Sequence, residues 1–389
     1  MTMAKNHQKN LFSCKQVQLI RGGRDYFLLL QQLIANAQHT IHLHTYIFDD
    51  DETGVEIGAA LMNAAQRGVQ VQLMVDAYAS KNLSDEFIDR MKRKGIQFKQ
   101  FEPLLKSHKF YFGRRLHHKV VAVDGDKSLV GGINISNRYN DMPDHKAWLD
   151  WALYAQGDVC KELEHICNEV WSGQTMFSKT SATKNSNTFS FQSDLLVRVR
   201  RNDWENRKNQ VSRTYLQIFQ QAKQQITLVS SYFLPGRVFR KNMERAAKRG
   251  VQINVITAGS SDVAVSKNAE RFLYRWMLKR GIRIFEYQPT VLHGKLSVCD
   301  DELVTVGSYN INNISAYASI ELNLDVKNTS FAKQTNDQLL KIIEQDCEEI
   351  TFEKYKVQYN LLQRMWQWCC YVLFKFLFFV FTFYFKQRE

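Results

Sequence analysis

Proline is nearly missing from this chain, with four residues in 389, which excludes polyproline and collagen-like tracts and argues against long disordered arms. Paired cysteines are missing too. The seven cysteines (Cys14, Cys160, Cys167, Cys299, Cys347, Cys369 and Cys370) include no CxxC pair, and no histidine spacing suits zinc. A reduced, cytosol-facing protein with no structural metal and no cofactor is the simplest expectation. The first twenty residues contain no apolar run long enough for a signal peptide, which argues against export by that route. Acidic residues are the minority, 39 against 52 Lys plus Arg, and the net charge of +13 favours a polyanionic partner. Nucleic acid, anionic lipid or another phosphate-bearing substrate would each satisfy that charge.

What is present is repetition. A chain of this length exceeds what one core usually serves, so two domains are expected. The phrase Ala64-Ala65-Gln66-Arg67-Gly68-Val69-Gln70-Val71 returns as Ala246-Ala247-Lys248-Arg249-Gly250-Val251-Gln252-Ile253. Each copy reads as a helix ending in a basic residue and a glycine cap, followed at once by a β-rich run, 69–75 and 251–257. Upstream of each lies another helix-to-strand passage, with strands expected over 40–48 and 226–233. Between the copies, residues 172–194 are crowded with Ser, Thr and Asn and read as a linker. The expected division is an extension 1–16, an α/β half 17–171, the linker 172–194, a second α/β half 195–350 and a C-terminal segment 351–389.

Each half culminates in the same spaced functional groups. His117, Lys119 and Asp124 are answered by His293, Lys295 and Asp300, 176 residues later. On a strand, positions i and i+2 share a face, so an imidazole and an ammonium can converge on one phosphate. Asp124-Gly125 and Asp300-Asp301 read as turns, after which 129–134 and 303–310 return as partner strands. Asn134, Ser308 and Asn310 are candidate donors to phosphate oxygens. A lone histidine in a strand is usually structural, and His39, His42, His44, His108, His118 and His145 keep that reading; the duplicated set does not.

This duplicated His-x-Lys-x4-Asp pattern resembles the signature of the phospholipase D superfamily, over about residues 17–350. The runs LMVDAYASKNLSDEFIDRMKRKGIQF and RRLHHKVVAVDGDKSLVGGINIS look most like bacterial cardiolipin synthases of the shorter type. The resemblance implies two pseudo-symmetric α/β domains, each a mixed β-sheet flanked by helices, whose motifs meet in one site. It implies a catalytic set of His117, Lys119, Asp124, His293, Lys295 and Asp300, although the two aspartates are expected to serve their turns. It places the nucleophile on His117. Glu321, 28 residues after His293, sits where the family puts the carboxylate that orients an imidazole. In the first half position 145 is His, and Asp150 is the corresponding carboxylate, displaced by five residues. Gly132 stands where the second half has Ser308, which removes one donor.

The implied activity is transfer of a phosphatidyl group from phosphatidylglycerol or another phospholipid to the hydroxyl of phosphatidylglycerol through a phosphohistidine, releasing glycerol. Phospholipids and an anionic membrane surface are the expected partners, and nucleic acid is not; the alternative is a hydrolase or nuclease acting on phosphodiesters. Residues 365–385, MWQWCCYVLFKFLFFVFTFYF, form a hydrophobic helix that either spans a bilayer or lies at its surface, with Lys375 counting against a simple span. The basic, aromatic stretch 106–115 is a second candidate for lipid contact. Together they suggest a bacterial inner-membrane location with a cytoplasm-facing body.

Overall fold

The computed structural model describes residues 11–102, 114–173, 195–312, 315–316 and 319–386, with side chains through 377. The first half runs β1 (Phe12–Arg21), α1 (Arg24–Asn36), β2 (Thr40–Thr45), α2 (Glu52–Gln66), β3 (Gln70–Asp76), α3 (Asp85–Arg93), β4 (Gln97–Phe101), β5 (Arg115–Leu116), β6 (Lys119–Val123), β7 (Lys127–Gly131), β8 (Trp151–Gly157) and α4 (Val159–Ser172). The second runs β9 (Leu196–Asp203), β10 (Lys208–Asn209), α5 (Gln210–Gln221), β11 (Gln225–Ser230), α6 (Arg237–Lys248), β12 (Gln252–Ala258), α7 (Ala264–Leu278), β13 (Arg283–Tyr287), β14 (Lys295–Cys299), β15 (Leu303–Gly307) and β16 (Ser319–Lys327). The helix Thr329–Asp346, a short strand Cys347–Glu349 and helices Phe352–Gln358 and Leu361–Lys386 complete the chain.

Strand pairing gives the order β4–β3–β2–β6–β7–β8–β1 in the first half. The second half repeats it as β13–β12–β11–β14–β15–β16–β9. In each, the three strands of the βαβ units are parallel and the rest antiparallel, so both sheets are mixed. They join where Phe12 and Ser13 of β1 pair with Val197 and Leu196 of β9. β1 thus pairs with the second sheet at Phe12 and Ser13 and with the first from Cys14 onward, so residues 12–16 of the expected extension already lie in the sheets.

The repeated phrase acts alike in both halves. Gly68 and Gly250 take φ of 95° and 88°, the left-handed turn that ends α2 and α6. The arginine before each glycine bonds the carbonyls that end the preceding helix: Arg67 to Ile34 and Ala35, Arg249 to Phe219 and Ala222. The motif aspartates are a second symmetric device. Asp124 accepts the backbone N–H groups of Gln38, His39 and Thr40, and Asp300 those of Lys223, Gln224 and Gln225. Each carboxylate therefore pins the start of its neighbouring strand.

β2 and β11 end at Thr45 and Ser230, earlier than the hydrophobic runs imply. The amides of Ile47 and Phe48 bond to Asn134 Oδ1 and Ser80 Oγ instead of a strand, so the chain leaves the sheet. A central core containing α4 and helix Thr329–Asp346 draws on both sheets, with Val120, Leu153 and Leu163 packed in one cluster with Val298, Leu322 and Leu339. Flanking cores belong to each half alone. Most of the 172–194 linker and all of 106–113, with His108, lie outside the described residues.

Candidate active site

The two motifs meet at the seam between the halves. The histidines stand two residues ahead of the strands: β6 begins at Lys119 and β14 at Lys295, while His117 and His293 precede them. Their placement comes from the opposite half. The N–H groups of His117 and His118 both donate to Ile320 O, and those of His293 and Gly294 to Leu149 O. Ile320 and Leu149 are the residues just before Glu321 and Asp150, so the backbone clamp delivers each carboxylate to the other half's imidazole.

The pairing is therefore crossed. His117 Nδ1 lies 2.9 Å from Glu321 Oε2, and His293 Nδ1 lies 2.6 Å from Asp150 Oδ2. Sequence order suggests the reverse, each histidine with the carboxylate that follows it. Both carboxylates are fully buried. With Nδ1 donating to a carboxylate, each ring keeps its Nε2 lone pair free for chemistry.

Gly132 and Ser308 occupy matching registers, since Gly131 pairs with Ala152 and Gly307 with Asn323. A Cβ at Gly132 would meet both Asp150 carboxylate oxygens at 2.5 Å. Glycine is thus the space that Asp150 fills. In the second half Ser308 Oγ instead donates to Glu321 Oε2. Its single hydroxyl proton is committed to that carboxylate, not offered to a phosphate. Asn134 bonds the Tyr139 hydroxyl and the Ile47 amide, and Asn310 accepts from Ser231 Oγ. All three expected donors are buried. Asp124 and Asp300 have their carboxylates on the backbone N–H groups of residues 38–40 and 223–225, which supports the expected turn role over a catalytic one.

The lysines are buried beside the imidazoles, Lys119 bonding His117 O and Lys295 bonding His293 O. Lys295 Nζ also lies 3.0 Å from His293 Nδ1. Burial, helped by the positive charge of Lys295, pushes Lys119 down to about 7, and burial pushes Lys295 down to about 8 against the pull of Asp150 and Glu321. Burial likewise lowers His117, with Glu321 opposing. His293 falls well below the ordinary histidine value through burial and the nearby Lys295 and Lys119. Asp150 is pushed up to about 6 by burial. A buried site that holds this much positive charge in reserve is built for an anion.

Aromatic side chains complete it, and the motif spacing carried no signal for them. The Tyr46 ring stands edge-on to His117 at 4.9 Å, with Lys119 Nζ 5.1 Å from its centre. Tyr139 is edge-on to His293 at 5.2 Å, and its hydroxyl lies 3.5 Å from Nε2. Asp262, bonded by the Tyr232 hydroxyl, adds its charge to the surroundings of His293. His44 and His118 bond each other at 3.1 Å in a buried pair below the first motif. Among the described residues no group of three or more histidine, cysteine or acidic side chains is arranged to hold a metal ion.

A family model described as "Cardiolipin synthase, PLD-like domain" matches residues 30–171 and 215–343, the two halves that carry this geometry. The chain belongs to the cardiolipin synthase family. It is an enzyme of the phospholipase D superfamily and a phosphatidyltransferase of the cardiolipin synthase type. Cardiolipin synthase B of Salmonella typhi is 33% identical over 341 residues, covering 86% of this chain and 82% of the relative. The Escherichia coli O6:H1 cardiolipin synthase B is 31% identical over 345 residues with the same coverage. Phosphatidylserine synthase of Haemophilus influenzae shares the fold, with a TM-score of 0.70, 15% identity, and 99% and 98% of the two chains aligned. The two α/β halves expected from the repeat, with the mixed sheets that the resemblance implied, are those of this family. Among the described residues no helix is long and apolar enough to cross a membrane.

Proposed function

We propose that this enzyme condenses two phosphatidylglycerol molecules into cardiolipin and glycerol at the crossed histidine pair. The observation that carries the proposal is that pair: two imidazoles, each with Nδ1 on a buried carboxylate and a buried lysine beside it. In the first step the Nε2 of one imidazole attacks phosphorus. A P–N bond forms, the P–O bond to glycerol breaks, and the other imidazolium gives its proton to the departing oxygen. In the second step that imidazole takes the proton of an incoming phosphatidylglycerol hydroxyl, whose oxygen displaces the histidine. Lys119 and Lys295 stabilise the charge that gathers on the phosphorus oxygens in both steps. Asp150 and Glu321 hold the rings and balance the imidazolium.

Resemblance puts the nucleophile on His117. The surroundings favour a second reading, because His293 is kept unprotonated more firmly than His117. On that reading His293 attacks and His117 is the acid. The test is to incubate purified protein with phosphatidylglycerol and identify products by mass. Cardiolipin and glycerol are expected, and neither should form with His117→Ala or His293→Ala. Phosphatidic acid as the sole product would replace transfer with hydrolysis, and the peptide carrying trapped phosphohistidine decides between the two rings.

A further inference from the structure

The C-terminal helix Leu361–Lys386 has its polarity inverted for a protein in water. One stripe packs on the body: Gln367 and Cys370 are buried, the Tyr371 ring lies tilted against Phe272 with centroids 4.8 Å apart, and Cys370 and Phe374 cluster with Leu234, Ala269 and Leu273. The opposite face carries Leu361, Leu362, Met365, Trp366, Trp368, Val372, Leu373, Phe376 and Leu377, all exposed. Leu362 is 75% exposed, Phe376 60% and Trp366 58%. Soluble monomers rarely present a contiguous apolar surface of this kind unless something covers it.

We infer that this face is a docking surface for an anionic lipid bilayer, with the helix lying in the plane of the membrane and its apolar side in the headgroup–acyl boundary. The inference deepens the proposed lipid transfer and rests on that reading for the biological source of the lipid. A spanning helix would be clad in hydrocarbon all round, whereas this one is seated on protein along α7. The charge suits an anionic surface. Over residues 351–377 four basic side chains, Lys354, Lys356, Arg364 and Lys375, accompany one acidic side chain, Glu353, and the exposed Arg275 of α7 and Lys279 just after it add two more positive charges. Trp366 and Trp368 are the amphipathic rings favoured at a lipid–water boundary.

The seat also reaches toward the site. Leu234, under Cys370, bonds its N–H to Ile311 O, and the adjacent Asn310 accepts from Ser231. α7 itself begins just after Asp262, whose charge acts on His293. A helix docked through α7 therefore brings that rim of the site to the lipid surface.

The experiment uses the full chain, flotation with vesicles of phosphatidylcholine alone or mixed with phosphatidylglycerol, and quenching of tryptophan fluorescence by brominated lipids. The wild type should float with the anionic vesicles, and the quenched signal should come from Trp366 and Trp368 at one shallow depth, disappearing in W366F/W368F. The triple variant L362E/W366E/F376E changes only exposed positions. It should keep its melt and its turnover of short-chain phosphatidylglycerol in detergent, while vesicle partition falls at least about tenfold. Equal partition of the triple variant and wild type would overturn the inference. So would equal flotation with phosphatidylcholine alone, or a wild-type dimer that the triple variant dissociates without any vesicle binding in either. Flotation as expected with no cardiolipin formed in vesicles or detergent would uphold docking and reject lipid transfer.

Discussion

Asp150→Asn is the sharpest probe of the crossed pairing, because the substitution keeps the shape and alters one proton. Asp150 Oδ1 accepts the Trp151 N–H at 2.7 Å while Oδ2 faces His293 Nδ1 at 2.6 Å. In the asparagine variant the carbonyl oxygen must stay on the Trp151 amide, so the NH2 group turns to His293. Nδ1 must then accept, either from that amide or from Lys295 Nζ 3.0 Å away, and the ring proton moves to Nε2. The lone pair needed at phosphorus, or for the proton of the incoming alcohol, is lost. Turnover should fall about 10³–10⁴-fold, equivalent to roughly 4–5.5 kcal/mol of transition-state stabilisation.

Stability should move the other way. Burial pushes the Asp150 carboxyl up from 3.8 to about 6, so keeping it ionised at neutral pH costs about 3 kcal/mol of folding free energy. The sign follows from the raised value: the cost is absent below the unfolded pKa, grows as pH rises toward 6 and is constant above. Asp150→Asn should therefore melt no lower than wild type at pH 7.5, with any advantage shrinking to about half by pH 5. Turnover on detergent-dispersed phosphatidylglycerol, melts at both pH values and nitrogen-15 spectra of the histidine rings measure all three effects. Activity within tenfold of wild type, an unchanged His293 tautomer, or a tautomer change at His117 instead would refute the crossed assignment. Glu321→Gln is the mirror experiment and should act on His117.

Three further outcomes are expected. The profile of kcat/KM against pH should be bell-shaped, rising as Asp150 ionises near 6 and falling as Lys119 and Lys295 lose their protons near 7 and 8; a flat profile from pH 6 to 9 would contradict it. Gly132→Ala places a Cβ 2.5 Å from both Asp150 oxygens and should lower kcat at least about tenfold by displacing that carboxylate, whereas wild-type kcat would show that Asp150 does not position His293. Asp300→Ala removes the acceptor of three backbone N–H groups and should cost about 2 kcal/mol or more in a melt while turnover per folded molecule persists; abolished turnover in a fully folded variant would return Asp300 to the catalytic set.

The primary sequence alone determined the duplication, the two α/β halves and the identity of the histidine–lysine pairs. Repetition is a linear signal: the same helix-ending phrase, the same His-x-Lys spacing and the same turn aspartates recur because each half solves the same local problem with adjacent residues. Residues whose roles depend on the seam were not legible in that way. Glu321 and Asp150 could be picked out as carboxylates, but their partners are set by Ile320 and Leu149, whose carbonyls grip the opposite motif through contacts far apart in the chain. Tyr46, Tyr139 and Asp262 reach the histidines from segments with no repeated spacing, and Ser308, placed by spacing as a phosphate donor, has its hydroxyl on Glu321. The hydrophobic tail was plain as composition. Which of its faces meets protein and which is left for another partner was decided only when it packed along α7, since hydrophobicity counts residues and burial depends on what stands beside them.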